Sequence, residues 1–476
     1  MALNDQETDA PQRQRWTVVI VSIVSFMVGL DVLVLMTALP TIREELGADA
    51  AGIGWTINAY EIGFAALILT GAALGDRYGR RLLFVIGVAA FTVGSAWCAL
   101  SSSIEMLVVA RAFQGLGGGV AVGLSLALIS SVTPPAKRGA AFGVWGAVTG
   151  TAVAVGPIVG GAIVHGLTWQ WIFWLNVPVG VILLGLSLVK ITESTGNRLP
   201  IDVVGLILSS IGLVTLAQAL LRGSDAGWTA PSILLGLIGG VVALALFVLW
   251  EHRNPAPMMP LAIFRNLSFT GGCGASFIMG VALYGQTFIF AQYLQVALEQ
   301  DALGVGIRLL PWVSTAPLVA PLAGQLADRI GERPLVITGF VLFAAAFFLM
   351  APLARSDASY ATLVIPLIIA GIGGPITFVS MSSAVMRAVE PARLGIASGV
   401  SIAVRQVGAV FGVAVAVAVF TSSGGGFAAP QQFVDGYGPA ATVLAVIALL
   451  GVVPALVIRP LTARDAPTRA AKADSV

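Results

Sequence analysis

The segment LGDRYGRR, residues 74–81, returns at residues 326–333 as LADRIGER. The two copies share Leu, Asp, Arg, Gly and a final Arg in register, at an offset of 252 residues. Two further pairs lie at nearly the same offset: GLGGG at 115–119 with GIGGP at 371–375, and RGAAFG at 138–143 with RLGIASG at 393–399 after a one-residue slip. The chain is therefore predicted to contain two homologous halves, over residues 17–190 and 268–459.

The composition around these copies is that of a membrane protein. Of the 476 residues, 57% are hydrophobic and 10% are charged, whereas an ordinary soluble domain has about 25% charged residues. The apolar residues form long runs, such as WTVVIVSIVSFMVGLDVLVLMTAL at 16–39, that are long enough to cross a hydrocarbon core of about 30 Å as helices. A soluble helical bundle would need polar helix faces, which these runs lack. We count fourteen runs, and they predict an all-α membrane protein.

The basic residues predict the sidedness of this protein in the plasma membrane. An even number of spans places both termini on one side, and if that side is the cytoplasm, nineteen of the 25 Lys and Arg residues fall in cytoplasmic segments. The net charge of +2 then reflects topology and indicates no nucleic-acid partner. The predicted organisation is a cytoplasmic tail at 1–16, a six-span half at 17–190, a linker with two extra spans at 191–267, a second six-span half at 268–459 and a cytoplasmic tail at 460–476.

Each copy of the repeated segment is predicted to be a cytoplasmic loop that takes part in gating. Gly79 and Gly331 permit a tight reversal between two helices. Asp76 and Asp328 are expected to accept hydrogen bonds from the N-terminal amides of a neighbouring helix, and these bonds would break when the halves rock. A loop that only set the topology would need nothing beyond arginines. The predicted gating residues are Asp76, Arg77, Gly79, Arg80, Asp328, Arg329 and Gly331.

These motifs resemble those of the major facilitator superfamily and, within it, of the fourteen-span drug:proton antiporter family, over residues 17–460. The loop signature of the superfamily is matched by Leu74, Asp76, Arg77, Gly79, Arg80 and Arg81. The family pattern of span 4 is matched by Arg111, Gln114 and Gly115. The antiporter signature of span 5 is similar to Gly143, Gly156, Pro157 and Gly160, with Ala152 in place of one Gly. The resemblance implies alternating access, with a span 5 that seals the cavity against leak.

Charged residues inside the predicted spans are candidates for proton coupling. An Asp at the centre of a membrane helix costs about 2.5–3.5 kcal/mol on insertion scales, so Asp31 and Glu61 are expected to have a partner and a function. Arg111 lies at a similar depth, which predicts a network of these three charges facing a central cavity. The structural alternative is a static pair of Asp31 and Arg111 that holds helices together. For Glu61, a second proton site and a ligand for a cationic substrate both remain open.

Polar and aromatic residues within the spans are the candidate substrate contacts. They are Trp55, Asn58, Tyr60, Glu61, Gln114, Tyr284, Gln286, Trp312 and Arg405. For Arg405, which occupies the repeat position of Gly150, a structural role with carbonyl or aromatic contacts is an equal alternative.

The predicted function is proton-driven export of amphipathic, cationic organic compounds. The partners are then the substrate, protons and the lipid bilayer, and we expect a monomer without a cofactor or metal. One alternative is a transporter of one defined metabolite such as a sugar, organic acid or siderophore, which would need more polar residues within the spans of both halves. A membrane receptor or enzyme is the other alternative, but the sequence has no nucleotide-binding loop, metal cluster or sizeable soluble domain to support it.

Overall fold

The computed structural model describes residues 2–48, 50–196, 202–227, 229–255, 257, 259–300, 302–426 and 429–460, and its regular secondary structure over these residues is entirely helical. The helices are α1 Ala2–Glu45, α2 Ala50–Tyr78, α3 Arg80–Ala99, α4 Ile104–Gly123, α5 Ser125–Val132, α6 Arg138–Gly166, α7 Trp171–Trp174, α8 Asn176–Lys190, α9 Val203–Ala226, α10 Pro231–Arg253, α11 Leu267–Val296, α12 Ala302–Val313, α13 Ala316–Ile330, α14 Glu332–Leu353, α15 Tyr360–Arg387, α16 Leu394–Ser422, α17 Pro430–Leu450 and α18 Val452–Leu456. Short 3-10 helices at Pro135–Lys137, Leu261–Arg265 and Pro391–Arg393 precede α6, α11 and α16.

Twelve helical segments in the described part of the chain are long and apolar enough to cross a membrane. Several of these segments contain a local break and consist of two helices. One consists of α4 and α5, another of α12 and α13, and a third of α17 and α18. Helices α6 and α9 have 29 and 24 residues. The first helix begins at Ala2, well before its apolar segment starts at Pro11, so residues 2–16 of the predicted tail are helical and continuous with the first span. The predicted tail at 460–476 lies, after Pro460, outside the described residues.

The helices pack as two halves with the same internal arrangement. In the first half α1 packs against α6 and α3 against α4, and in the second half α11 packs against α16 and α14 against α15. The halves meet along two seams, one between α2 and α16 and the other between α13 and α6. Each seam joins the second span of one half to the fifth span of the other. Equivalent helices thus make equivalent contacts, as expected for duplicated halves related by a pseudo-twofold axis.

Glycines in α4 fix the distance between α4 and α2. A Cβ built on Gly115 would lie 2.1 Å from the carbonyl oxygen of Tyr60, and one built on Gly119 would lie 2.4 Å from that of Phe64. No side chain larger than hydrogen fits at either place, so the two helix backbones touch. This contact places Arg111 of α4 beside the ring of Tyr60, with its guanidinium carbon 4.1 Å from the ring centre.

Helices α9 and α10 form a hairpin that covers one of the two seams. Helix α9 packs against both α2 and α16, and the hydroxyl of Ser210 donates a 2.9 Å hydrogen bond to the carbonyl of Ala66 in α2. Asp202, at the start of α9, accepts 2.8 Å hydrogen bonds from the side chains of Trp250 and Asn254 in and just after α10. In α10 only 22% of the most apolar window is buried, which leaves most of this helix for contact with lipid.

Candidate functional site

A buried hydrogen-bond network in the first half centres on Asp31 of α1. Arg111 of α4 donates to Oδ2 of Asp31 at 2.5 Å, and Gln114 donates to Oδ1 at 2.8 Å. Asn176, the first residue of α8, also donates to Oδ1 at 2.7 Å. All four side chains are at most 3% exposed. The predicted pairing of Asp31 with Arg111 is therefore present, and two amides complete the coordination of the carboxylate.

The donors of Arg111 and Gln114 are used within the same network. Arg111 donates through Nη1 to Oε1 of Gln114 at 2.6 Å and through Nε to the carbonyl of Thr56 at 3.2 Å. Gln114 also donates to the hydroxyl of Ser95 at 2.8 Å. A buried ion pair tolerates the loss of one partner poorly, since the remaining charge is then uncompensated, at about 3–5 kcal/mol. The network ties α1, α2, α3, α4 and α8 together around one carboxylate.

A cavity of about 380 Å³ lies between the two halves. Its volume falls in the range of about 300–1,000 Å³ that is typical of small-molecule sites. Most of its lining is aliphatic or aromatic, and the side chains with polar atoms come from a few positions. Its polar and aromatic lining residues are Ser25, Tyr60, Glu61, Phe64, Trp145, Thr149, Tyr284, Thr287, Trp312, Phe378, Arg405 and Gln406.

Glu61 and Arg405 bring opposite charges to this cavity from opposite halves. Glu61 of α2 has no hydrogen bond or ion pair with any residue that the structure describes, although it lies within the electrostatic field of Arg111. Arg405 of α16 lies over the ring of Phe378, 4.8 Å from its centre, and its Nη1 has no hydrogen-bond partner in the described part of the chain. The aromatic contact expected for Arg405 is present.

The structure separates the three charges that the sequence placed in one network. Asp31 and Arg111 form a closed pair that does not line the cavity, whereas Glu61 does. Depth along a helix does not fix the direction of a side chain, because successive residues project about 100° apart. Tyr60 packs under Arg111, and its neighbour Glu61 is turned into the open space.

Aromatic side chains give the cavity its shape. Trp145 of α6 stacks on Phe378 of α15 with ring centres 5.4 Å apart, so the stack crosses from one half to the other. Of the predicted substrate contacts, Tyr60, Tyr284 and Trp312 line the cavity. Sequence reasoning did not single out Trp145 or Phe378, because neither belongs to a motif or a repeat match.

The other predicted substrate contacts lie elsewhere. Gln114 belongs to the network around Asp31. Gln286 is fully buried in the second half, where its amide donates a 2.8 Å hydrogen bond to the hydroxyl of Tyr437, and it does not line the cavity. Trp55 is 38% exposed and is likewise absent from the cavity wall. Asn58 lies within α2, but its side chain is outside the described part of the structure.

At one end of the molecule the first loop fastens α2 to the second half. Asp76 accepts a 3.2 Å hydrogen bond from the amide of Ile396, in the first turn of α16. Arg80 donates through Nε to Asp76 at 2.7 Å and through Nη2 to the carbonyl of Pro391 at 3.0 Å. Asp76 and Arg80 are both 2% exposed. A buried carboxylate thus joins the N-terminus of a helix in the other half, where the positive end of the helix dipole stabilises it.

The second loop makes the reciprocal contact with the first half. Asp328 of α13 accepts hydrogen bonds of 3.2 Å from the amides of Gly139 and Ala140, in the first turn of α6. Arg387 of α15 donates to the same carboxylate and also pairs with Glu332 at 3.1 Å. Glu332 occupies the position that is arginine in the first loop, so the cation of this latch comes from a different helix. We call the two sets of contacts the first latch, around Asp76, and the second latch, around Asp328.

The loop glycines have the backbone conformation that the sequence predicts. Gly79 has φ of 128° and Gly331 has φ of 88°, a region that L side chains rarely adopt. Two predicted gating residues remain, Arg77 and Arg329. Arg77 lies against the ring of Tyr78, and Arg329 is exposed.

The seam between α6 and α13 is closed at the latches and widens away from them. A Cβ built on Gly324 would lie 2.0 Å from the carbonyl oxygen of Gly139, and one on Gly143 would lie 2.4 Å from a carbonyl oxygen of α13. Further along α6, a Cβ on Gly150 would meet only a side-chain carbon at 3.6 Å, and one on Gly161 would meet nothing within 4 Å. On this face of α6 the halves therefore approach most closely at the latch end, and α6 remains in contact with α12 further along.

Gly156 of the antiporter signature faces the first half. A Cβ built on Gly156 would lie 2.5 Å from the Cβ of Leu33 in α1, so this part of α6 packs closely against its own half. Gly160 is buried, and Pro157 lies within the same helix, but its side chain is outside the described part of the structure. Helix α6 thus uses its first turns for the other half and its later turns for α1.

The sequence matches the family described as the Major Facilitator Superfamily over residues 21–262 and 272–475. It is 34% identical over 392 residues to the Multidrug resistance protein Stp of Mycobacterium tuberculosis (strain CDC 1551 / Oshkosh), covering 82% of this chain and 73% of that protein. It is 33% identical over 401 residues to the Tetracenomycin C resistance and export protein of Streptomyces glaucescens, covering 84% of this chain and 74% of that protein. The structure of the proton:xylose symporter XylE bound to 6-bromo-6-deoxy-D-glucose matches with a TM-score of 0.68 and 14% identity, covering 93% of this chain and 95% of that one. At that identity the likeness concerns the fold alone.

Proposed function

Because this chain belongs to the major facilitator superfamily and is a multi-pass transporter of the plasma membrane, we propose that it exports amphipathic, cationic organic compounds in exchange for protons. Its relatives are named for multidrug resistance and for tetracenomycin C resistance and export. The observation that carries the proposal is the cavity between the halves, which two latches join at one end; the carboxylate of Glu61 lies in its wall, with no ion pair among the described residues.

The proposed topology is that of the fourteen-span drug:proton antiporters with both termini in the cytoplasm. Helices α6 and α9 are long enough to add two spans to the twelve. The concentration of basic residues on the side of the termini supports this orientation. Both latches then lie at the cytoplasmic surface, and the widening seam between α6 and α13 faces outward. The structure corresponds, in this proposal, to an outward-facing state.

The proposed transport cycle uses competition between a proton and a cation at Glu61. In the inward-facing state, the ionised carboxylate attracts a lipophilic cation into a cavity with little water, where charge pairing is poorly screened. After the halves rock, a proton from outside neutralises Glu61 and the cation leaves. The latches form only in the outward-facing state, so their hydrogen bonds stabilise that state against the inward-facing one.

The network around Asp31 has a proposed role in setting the charge at Glu61. The positive charge of Arg111 contributes to the electrostatic potential at Glu61. The size of this contribution depends on how far the negative charge of Asp31 offsets the charge of Arg111. Any change in the ion pair of Asp31 and Arg111 would therefore alter the electrostatic potential at Glu61.

Transport in proteoliposomes with an imposed pH gradient tests the proposal. An antiporter accumulates its substrate on the acidic side of the membrane, whereas a proton symporter of a metabolite accumulates it on the alkaline side. We expect aromatic cations to accumulate on the acidic side and a protonophore to abolish this. Accumulation on the alkaline side would contradict the proposal. The proposal would also be contradicted if the pH gradient had no effect on the transport of any member of a panel of cations, neutral compounds and anions.

A further inference from the structure

The cavity contains a buried cation that cation export does not use. Arg405 is 8% exposed and lines the cavity, yet its guanidinium makes no hydrogen bond with any described residue. A guanidinium carries five N–H donors in one plane. The ring of Phe378 covers the face of this plane, which leaves the donors at its edge free. Burial of an ion without an acceptor is unfavourable, so the geometry is complete only when an acceptor occupies the cavity.

Other polar atoms of the cavity wall are also buried without a hydrogen-bond partner among the described residues. The hydroxyls of Tyr60 and Thr149 are buried and have no hydrogen-bond partner among the described residues, and both side chains line the cavity. Tyr284, which also lines the cavity, lies within the electrostatic field of both Glu61 and Arg405. A purely apolar ligand would leave all of these groups unsatisfied.

Glu61 and Arg405 do not neutralise each other. No ion pair joins them in the described structure, and they project from α2 and α16, which belong to opposite halves. The rest of the wall is mostly aliphatic and aromatic, and it includes the stack of Trp145 on Phe378. The wall thus offers an anion from one half, a cation from the other and an apolar surface around them.

We propose that the cavity binds amphoteric compounds, with a cationic amine at Glu61, a carboxylate or comparable acidic group at Arg405 and an aromatic body between them. This inference rests on the proposed export function and narrows its substrate class. A bidentate acid group on the free edge of Arg405 forms charge-assisted hydrogen bonds, which are among the strongest in proteins. A ligand of this kind also bridges the two halves, because each of its charges is held by a different half.

Binding to the purified full-length chain in nanodiscs, measured by calorimetry without a pH gradient, tests this inference. The probes are 4′-(aminomethyl)biphenyl-4-carboxylic acid, its methyl ester, which keeps only the amine charge, and its N-acetyl derivative, which keeps only the carboxylate. We expect the amphoteric probe to bind at least about tenfold more tightly than either derivative. Equal binding of the three probes would overturn the inference, with waters as the acceptors for Arg405.

Variants assign the two charges. Arg405→Gln should lower the affinity for the amphoteric probe about tenfold and leave the affinity for the methyl ester unchanged. Glu61→Gln should also lower the affinity for the amphoteric probe about tenfold, but it should leave the affinity for the N-acetyl derivative unchanged. Arg308→Gln is the matched control, because Arg308 lies within α12 against Tyr360 and does not line the cavity. A loss at Arg405→Gln that is equal for all probes would assign Arg405 a structural role and refute the inference.

The outcomes for folding and for transport can be told apart. If Arg405→Gln does not give a monodisperse protein, the comparison of the three probes on the unmodified chain still decides the question, and Arg405→Lys should retain part of the preference. A preference for the amphoteric probe without gradient-driven transport would support this inference and refute the export function. Gradient-driven export of cations without the preference would refute this inference and support the export function.

Discussion

The exchange of Asp76 for Asn should open the first latch. In the structure the carboxylate accepts one hydrogen bond from Nε of Arg80 and one from the amide of Ile396 across the seam. Of these two bonds only the one from Ile396 crosses the seam, and removal of the charge converts it from a charge-assisted bond of about 1.5–3 kcal/mol into a neutral one of about 0.5–1.5 kcal/mol. The helix dipole of α16 adds about 0.3–1 kcal/mol. The closed state should lose about 1.3–2.5 kcal/mol, which changes the ratio of closed to open forms roughly 10- to 70-fold.

Pulsed electron resonance between two spin labels measures this change. Cysteines at Tyr78 and Ile330, which are 51% and 49% exposed and lie next to the two latches in different halves, carry the labels. The native Cys98 and Cys273 are buried and are replaced by alanine. We expect one short distance in the parent and a second, longer population in Asp76→Asn. The measurement is made in nanodiscs, so that the bilayer is present in both cases.

Two comparisons make the result specific. Asp357→Asn removes the same charge from an exposed ion pair with Arg355 and should leave the distances unchanged, because exposed pairs contribute little. Asp328→Asn should act like Asp76→Asn, and the double variant should populate the long distance most, since the latches share no residue. Unchanged distances in the double variant would refute the gate and leave the loops with a role in topology only.

Three further changes test other parts of the site. Asp31→Asn should abolish gradient-driven transport while the protein still folds, as measured by accumulation in proteoliposomes and by thermal unfolding, and normal transport by a well-folded variant would exclude Asp31 from coupling. Glu61→Gln should reduce transport of cationic substrates about tenfold or more and leave neutral ones nearly unchanged; equal losses in both classes would favour a packing role. Gly324→Ala should force the latch end apart, because the added methyl would lie 2.0 Å from a carbonyl oxygen of α6, and the same label distances should lengthen. Gly161→Ala, with nothing within 4 Å, is its control and should behave as the parent.

The loops could be predicted from the sequence because the residues that shape them lie close together in a short motif, and this motif occurs twice in the chain. The repeat placed Gly79 and Gly331 at reversals and assigned Asp76 and Asp328 to helix N-termini, and the structure has both features. The two copies differ at Glu332. The sequence suggests two equivalent loops, but this position reverses the charge of its counterpart, and the structure compensates through Arg387, a contact that spans 55 positions of the chain and has no local pattern.

The interior of the site was only partly predictable. Asn176 contacts Asp31 across 145 positions of the chain, and no periodicity or spacing points to such a contact. Depth along a helix placed Glu61 beside Arg111, but the rotation of the helix decides what a side chain faces, and that rotation depends on packing with other helices. The same applies to Gln286, whose amide is turned into the second half and away from the cavity.

The hairpin of α9 and α10 gives the two seams different access to the lipid, because it covers only one of them. The duplicated halves alone would offer a compound dissolved in a membrane leaflet two symmetric routes to the cavity. Helix α9 lies across the route between α2 and α16 and is anchored to α2 through Ser210. The route between α6 and α13, which widens away from the latches, has no such cover in the described structure. A lipophilic compound that partitions into the bilayer before it is captured would therefore enter from one flank of the protein, and the two helices outside the repeat decide which flank that is.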